Sequence, residues 1–192
     1  MRRVGVLALQ GDVREHVATL SELGAEVRKV RTVEQLEGLD ALVLPGGEST
    51  AIAHLLTTSG VRPALERQIR EGLPVLGTCA GLILLSREVL DGRGDQWSFA
   101  ALDVAVRRNG YGRQIASFET NVDVLGLGEV PGVFIRAPKI EQWGGDVEVL
   151  AVHDHGDGPF PVLVRQGHVW GCSFHPELTN DHRLHGMFVD SI

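Results

Sequence analysis

The 192-residue chain has little that would staple, anchor or charge it. Only two cysteines occur, Cys79 and Cys172, so no disulfide framework is available and each thiol must be read by itself. Its longest apolar runs, such as Ala41–Pro45 and Leu82–Leu85, fall far short of the roughly 20 residues that cross a bilayer. No membrane partner is expected. Positive charge is in deficit, with 18 Lys+Arg against 25 Asp+Glu and a formal charge of -7. That is the wrong sign for a surface that tracks phosphates, and nucleic acid is not an expected partner either. Internal repeats, low-complexity segments and Pro/Ser-rich linkers are missing, so residues 1–192 are expected to form one domain around a shared core. The charged start runs into Val4–Leu9 but turns polar at Gln10-Gly11-Asp12, too soon for a signal peptide. The expected compartment is the cytoplasm.

What is present is an alternation of short apolar runs and helical patterns. Val4–Leu9, Ala41–Leu44 and Pro74–Gly77 read as strands covered on both faces, and Glu26–Val30 as a polar-flanked one. Between them, Val13, Val17, Leu20 and Leu23 recur as one face of a helix that Gly24 ends. Ser49 or Thr50 can cap a helix over Ala51–Leu56. Val61–Arg70 gives another, with Pro63 tolerated in its first turn, and Leu82–Leu90 has helical character. Strands alternating with helices predict an α/β fold with a mostly parallel central sheet. In the second half, Val104–Arg107, Val122–Leu125, Val133–Arg136, Val147–Val152, Val162–Arg165 and Val169–Phe174 are short strand candidates, and a helix over His182–Val189 closes the chain.

Cys79 is the most informative residue. Gly77-Thr78-Cys79-Ala80-Gly81 leaves an apolar strand and enters a helix, which is the form of a nucleophile elbow with sulfur in place of a serine oxygen. Flanking glycines permit the tight turn, and the helix start favours a thiolate and can hold an oxyanion. A thiolate nucleophile needs a proton carrier, and His175-Pro176-Glu177 supplies one. Residues two apart in an extended segment point to one side, so Glu177 is expected to orient the His175 ring. Pro45-Gly46-Gly47-Glu48-Ser49-Thr50 follows a buried strand and can turn backbone N–H groups toward a ligand, without the Lys of a phosphate loop. His153-Asp154-His155 reads as a solvated turn rather than a metal site, His182 and His185 as a surface helix face, and Cys172 as a small core residue. No metal and no cofactor site is expected.

Leu44–Thr50, Gly77–Leu82 and Cys172–Leu178 together resemble the class I, triad-type glutamine amidotransferases. More narrowly, Leu9–His16, Arg108-Asn109-Gly110-Tyr111-Gly112-Arg113-Gln114 and Val133–Pro138 resemble the glutaminase subunits of pyridoxal 5'-phosphate synthase. The resemblance implies a single-domain, three-layer flavodoxin-like fold with helices on both faces, and hydrolysis of L-glutamine to glutamate and ammonia. It casts Cys79 as nucleophile, His175 as proton carrier and Glu177 as its orienter, with the oxyanion met by amides of Gly47 and Ala80. It carries substrate contacts onto Gly47, Glu48, Ser49, Arg108, Ile135 and Arg136. The implied partner is a (β/α)8-barrel synthase subunit in a large hetero-oligomer, which receives the ammonia before it can protonate and diffuse away. Two alternatives stand beside this reading: a glutaminase serving another synthase, and a redox-sensing interaction module in which Cys79 is the sensor and His175 and Glu177 are not needed.

Overall fold

The run of apolar residues in the first strand continues into a sheet that spans the molecule. The structure, a computed structural model, describes residues 1–92, 94, 96–110 and 117–192. The Tyr111–Gln114 half of the Arg108–Gln114 string lies outside the described residues. Strands β1 (Arg3–Leu7), β2 (Glu26–Val30), β3 (Ala41–Leu44) and β4 (Val75–Thr78) alternate with helices α1 (Val13–Glu22), α2 (Ser49–Thr58) and α3 (Val61–Arg70). Helix α4 (Ala80–Leu85) follows β4 directly. Then come β5 (Ser86–Val89), β6 (Leu102–Arg107), β7 (Ser117–Val124), β8 (Gly128–Ile135), β9 (Lys139–Trp143), β10 (Glu148–Asp154), β11 (Pro159–Gln166), β12 (Val169–Cys172) and α5 (Arg183–Asp190).

Nine strands form one sheet in the order β2-β1-β3-β4-β12-β11-β10-β7-β8, and β5-β6-β9 form a smaller one. Pairings from β2 through β12 are parallel, whereas those from β12 through β8 are antiparallel. The large sheet is therefore mixed, which corrects the expectation of a mostly parallel one. The physical reason is connection length. β7 and β8 are separated by Leu125–Leu127, and β10 and β11 by 155–158, links that close hairpins and are too short for a crossover. The fold class itself, α/β, is as expected.

Successive strand residues point to opposite faces. Leu42 and Leu44 pack in one cluster with Ile52, Leu65 and Leu82 of α2, α3 and α4. Ala41 and Val43 pack in the other with Leu20 of α1 and Leu184 and Phe188 of α5. Two local expectations change. The helix expected over Leu82–Leu90 stops at Leu85, because Ser86 turns extended and its hydroxyl donates to the Ile83 carbonyl at 2.7 Å. The cap of α2 is neither Ser49 nor Thr50 but Glu48, whose carboxylate accepts from the Thr50 and Ala51 amides at 3.0 and 2.7 Å. Because β1, β3, β4 and β12 run parallel, the segments after their carboxyl ends meet at one sheet edge.

Candidate active site

Cys79 sits at the turn between β4 and α4 with φ 48 and ψ -101, a left-handed, strained backbone for a residue with a side chain. The neighbouring glycines are required by space. A Cβ on Gly77 would lie 2.6 Å from the Gly81 carbonyl carbon, and one on Gly81 would lie 2.1 Å from the Leu44 carbonyl oxygen. Across the sheet, β12 holds the elbow in place: Cys172 stands opposite Thr78 and its carbonyl accepts the Cys79 amide at 2.8 Å. Cys172 itself is buried, and burial pushes its thiol well up, as suits a core residue.

Beyond Cys172 the chain brings His175 to the same edge, where its amide donates to the Val133 carbonyl at 2.8 Å. The His175 ring is buried, and its Nδ1 lies 2.8 Å from Oε1 of the buried Glu177. The contact is made differently from the expected extended segment: Pro176–Leu178 is a 3-10 turn that folds Glu177 back under the ring. Asp12, at the end of the β1 edge, adds a second carboxylate 3.3 Å from Nδ1. Burial alone would lower the His175 pKa. Hydrogen bonds with Asp12, Cys79 and Glu177 outweigh it and hold the imidazole pKa pushed up to about 12. Gly46 makes room for this ring, since a Cβ there would lie 2.3 Å from His175 Cε1. Donor atoms of Asp12, His175 and Glu177 lie within 4.8 Å of one another, a closeness that the imidazole proton between two carboxylates accounts for.

Cys79 and His175 open into a cavity of about 440 Å³, lined also by Gly47, Glu48, Ser49, Arg108, Ile135 and Arg136. Ala80 and Glu177 lie behind that lining, next to Cys79 and His175. Sequence reasoning left out Gln10, Asp12, Ile83 and Asn109, which also line the cavity. The available signal was the polar break Gln10-Gly11-Asp12 after a buried strand, at the edge where Cys79 emerges. Gln10 Oε1 accepts the Glu48 amide at 3.0 Å and Gly46 O the Asp12 amide at 3.1 Å, which clamps the two loops together. For Glu48, burial raises the pKa, but the Thr50 and Ala51 amides and Arg108 more than offset it and leave the carboxyl lowered. Arg108 reaches Thr50 Oγ1 through Nη1 at 3.2 Å, and its buried Nε has no partner among the described residues. Arg136 adopts φ 41, a second strained position on the cavity wall. His153, His155, His182 and His185 do not line the cavity. His153 and His155 pack with Phe118 and Phe134, and Asp154 closes a turn onto the Gly156 and Gly158 amides. His182 pairs with Glu22 at 3.4 Å, while His185, expected on a surface face, is fully buried.

Comparison with known proteins gives this geometry a context. Residues 6–192 match the SNO glutamine amidotransferase family. The chain belongs to that family. A relative from Nocardia farcinica, "Pyridoxal 5'-phosphate synthase subunit PdxT", is 54% identical over 98% of this chain and 85% of its own length. A protein of the same description from Streptomyces avermitilis is 52% identical over 98% and 93%. A solved structure described as "Crystal structure of glutamine amidotransferase" is 51% identical and superposes with a TM-score of 0.91, covering 98% of this chain and 97% of that one.

As a glutamine amidotransferase, the chain has the parts that amide chemistry requires. A thiol stands on a strained turn, an imidazole with a raised pKa lies beside it, and a buried carboxyl group contacts that imidazole, groups of the kinds that serve as nucleophile, proton carrier and orienter in amide hydrolysis. The cavity wall carries the guanidinium groups of Arg108 and Arg136 and the carboxyl groups of Asp12 and Glu48, charges of both signs that can complement a ligand with two charged ends.

Proposed function

We propose that the chain hydrolyses L-glutamine to L-glutamate and ammonia through Cys79, His175 and Glu177, and delivers the ammonia to the synthase subunit of pyridoxal 5'-phosphate synthase. Cys79 Sγ attacks the side-chain amide carbon, and the developing oxyanion is met by the amides of Gly47 and Ala80. His175 gives its proton to the departing nitrogen, ammonia leaves, and a γ-glutamyl thioester remains on sulfur. A water that returns its proton to His175 then releases glutamate and the thiolate. Glu177 holds the imidazole in one orientation throughout. Arg108 and Arg136 meet the substrate carboxylate, Glu48 its ammonium group, and Gly47, Ser49 and Ile135 shape the remainder of the pocket.

The observation that carries this reading is the 2.8 Å contact between His175 Nδ1 and the buried Glu177, beside a cysteine elbow that opens into a cavity. A redox sensor has no use for a carboxylate buried under that histidine. Relatives that are half identical over nearly the whole chain, and are described as subunits of pyridoxal 5'-phosphate synthase, favour that synthase over another. Their description as subunits supports assembly with a further subunit of that synthase, which the family resemblance implies is a (β/α)8 barrel in a hetero-oligomer. The order β2-β1-β3-β4-β12 of the parallel strands supports a flavodoxin-like, three-layer, single-domain description. The free thiols of Cys79 and Cys172 suit a reducing compartment such as the cytoplasm.

The test is glutamate release from L-glutamine by the purified chain, alone and with the matching synthase subunit. Release that rises with the partner and vanishes in Cys79→Ala is expected. Release that persists in Cys79→Ala, or responds only to a different synthase, contradicts the proposal.

A further inference from the structure

Behind the triad lies a pair of histidines that the proposed reaction leaves unassigned. His16 of α1 and His185 of α5 are both fully buried, and His16 Nδ1 lies 2.9 Å from His185 Nε2. The opposite edge of the His16 ring faces the triad. Its Nε2 is 3.1 Å from the hydroxyl of Thr78, the residue before Cys79, and 3.5 Å from Glu177 Oε1, the oxygen that receives the His175 proton. His185 Nδ1 has no partner among the described residues.

That orphaned nitrogen decides the tautomers. One hydrogen lies between His16 Nδ1 and His185 Nε2. If His16 supplied it, His185 would carry its own proton at Nδ1, a buried N–H with nothing to receive it, and His16 would accept from the Thr78 hydroxyl while turning its lone-pair edge toward the Glu177 carboxyl group at 3.5 Å. If His185 supplies it, only a lone pair is left unsatisfied and His16 presents an N–H to the Thr78 hydroxyl oxygen at 3.1 Å, its positive edge facing Glu177 Oε1 at 3.5 Å. The second arrangement avoids both a stranded donor and a repulsion. Both rings stay neutral: burial lowers His16, aided by His185 and His175, and burial with His182 brings His185 down to about 4. The other ionisable groups around this site are Glu177 and His175 from the segment after β12, Cys172 from β12 and Asp12 before α1.

We propose that His16, held as its Nε2–H tautomer by His185, is a positioning residue that fixes the Glu177 carboxylate for its hydrogen bond to His175. The inference rests on the triad reading above. Glu177 Oε2 has no hydrogen-bond partner among the described residues, so the carboxylate is steered through Oε1, where the His16 and His175 edges converge.

Nitrogen NMR of the full chain carrying isotope-labelled histidine reads the tautomers without any turnover. Neutral Nε2–H signals for both His16 and His185 around neutral pH are expected; an Nδ1–H or doubly protonated His16 overturns the inference. In the complex with the synthase subunit, His16→Gln keeps an amide N–H near the Nε2 position, whereas His16→Asn reaches only the place of Nδ1. The Asn variant is expected to lose about 100-fold in kcat, the effect of a misplaced catalytic group, with KM changed less than about twofold and the Gln variant recovering most of the rate. Equal losses in both folded variants, or no loss in either, overturn it. A wild-type chain that releases no glutamate with its partner defeats the triad reading instead, which the tautomer measurement keeps separate.

Discussion

Cys79 holds its strained φ of 48 because its surroundings leave no alternative: Gly77 and Gly81 have no room for a Cβ, and the Cys172 carbonyl ties down its amide. This much was readable from Gly-x-Cys-x-Gly after an apolar run, since the pattern is local. His175 and Glu177 were readable as a pair for the same reason, although a 3-10 turn rather than an extended segment joins them. Asp12 was not, because its closeness to His175 arises from the lateral order of strands, which spacing along the chain does not encode. Gly46 belongs to this scale as well. An alanine there would press within 2.3 Å of His175 Cε1 and 3.0 Å of Asp12 Oδ2, so the ring must move. Gly46→Ala is expected to retain its fold and lose about 100-fold in kcat, measured by initial rates of glutamate release; an unchanged rate would show that the ring position is unimportant.

At the scale of elements, β1, β3 and β4 were legible as buried apolar runs, α1 as a periodic pattern ending in Gly24, and α3 as a helix over Val61–Arg70 that tolerates Pro63 in its first turn. β9 was not foreseen, nor was the conversion of Arg87-Glu88-Val89 from expected helix to strand β5, because pairing with β6 outweighs the local pattern. The packing of α1 against α5 through His16 and His185 was likewise hidden, since a histidine carries no apolar signal. That contact has a consequence for stability. His185 has an ordinary pKa of 6.5 and about 4 in the fold, so the unfolded chain gains a proton below 6.5 while the folded one stays neutral. The stabilisation is fully present above 6.5 and lost as pH falls toward 4, by on the order of 3 kcal/mol. Urea midpoints measured across that window are expected to fall for the wild type and to fall less steeply for His185→Leu; identical acid slopes contradict the assignment. His175 acts in the opposite sense. Its raised pKa stabilises the fold fully below 6.5, and this is lost as pH rises toward 12.

On the scale of the whole molecule, four parallel strand ends deliver Asp12, the Gly46–Ser49 loop, Cys79 and His175 to one edge, and the hairpin half of the sheet adds Ile135 at the end of β8 and Arg136 just after it. The α/β class was legible because helices and strands alternate through β4. Sheet direction in the second half was not, because it depends on whether short links close hairpins, and those links were read only as breaks between strands. The site thus draws on both halves of the chain, which explains why its strings are scattered from Gln10 to Glu177. The central claim is that the carbon–nitrogen bond is broken through a covalent bond to Cys79. Rapid acid quench of the complex during turnover of L-glutamine, followed by mass spectrometry of its peptides, tests this most directly. A γ-glutamyl adduct confined to the peptide carrying Cys79 is the result predicted; steady glutamate release with no adduct on that peptide, or an adduct on Cys172 instead, would contradict it.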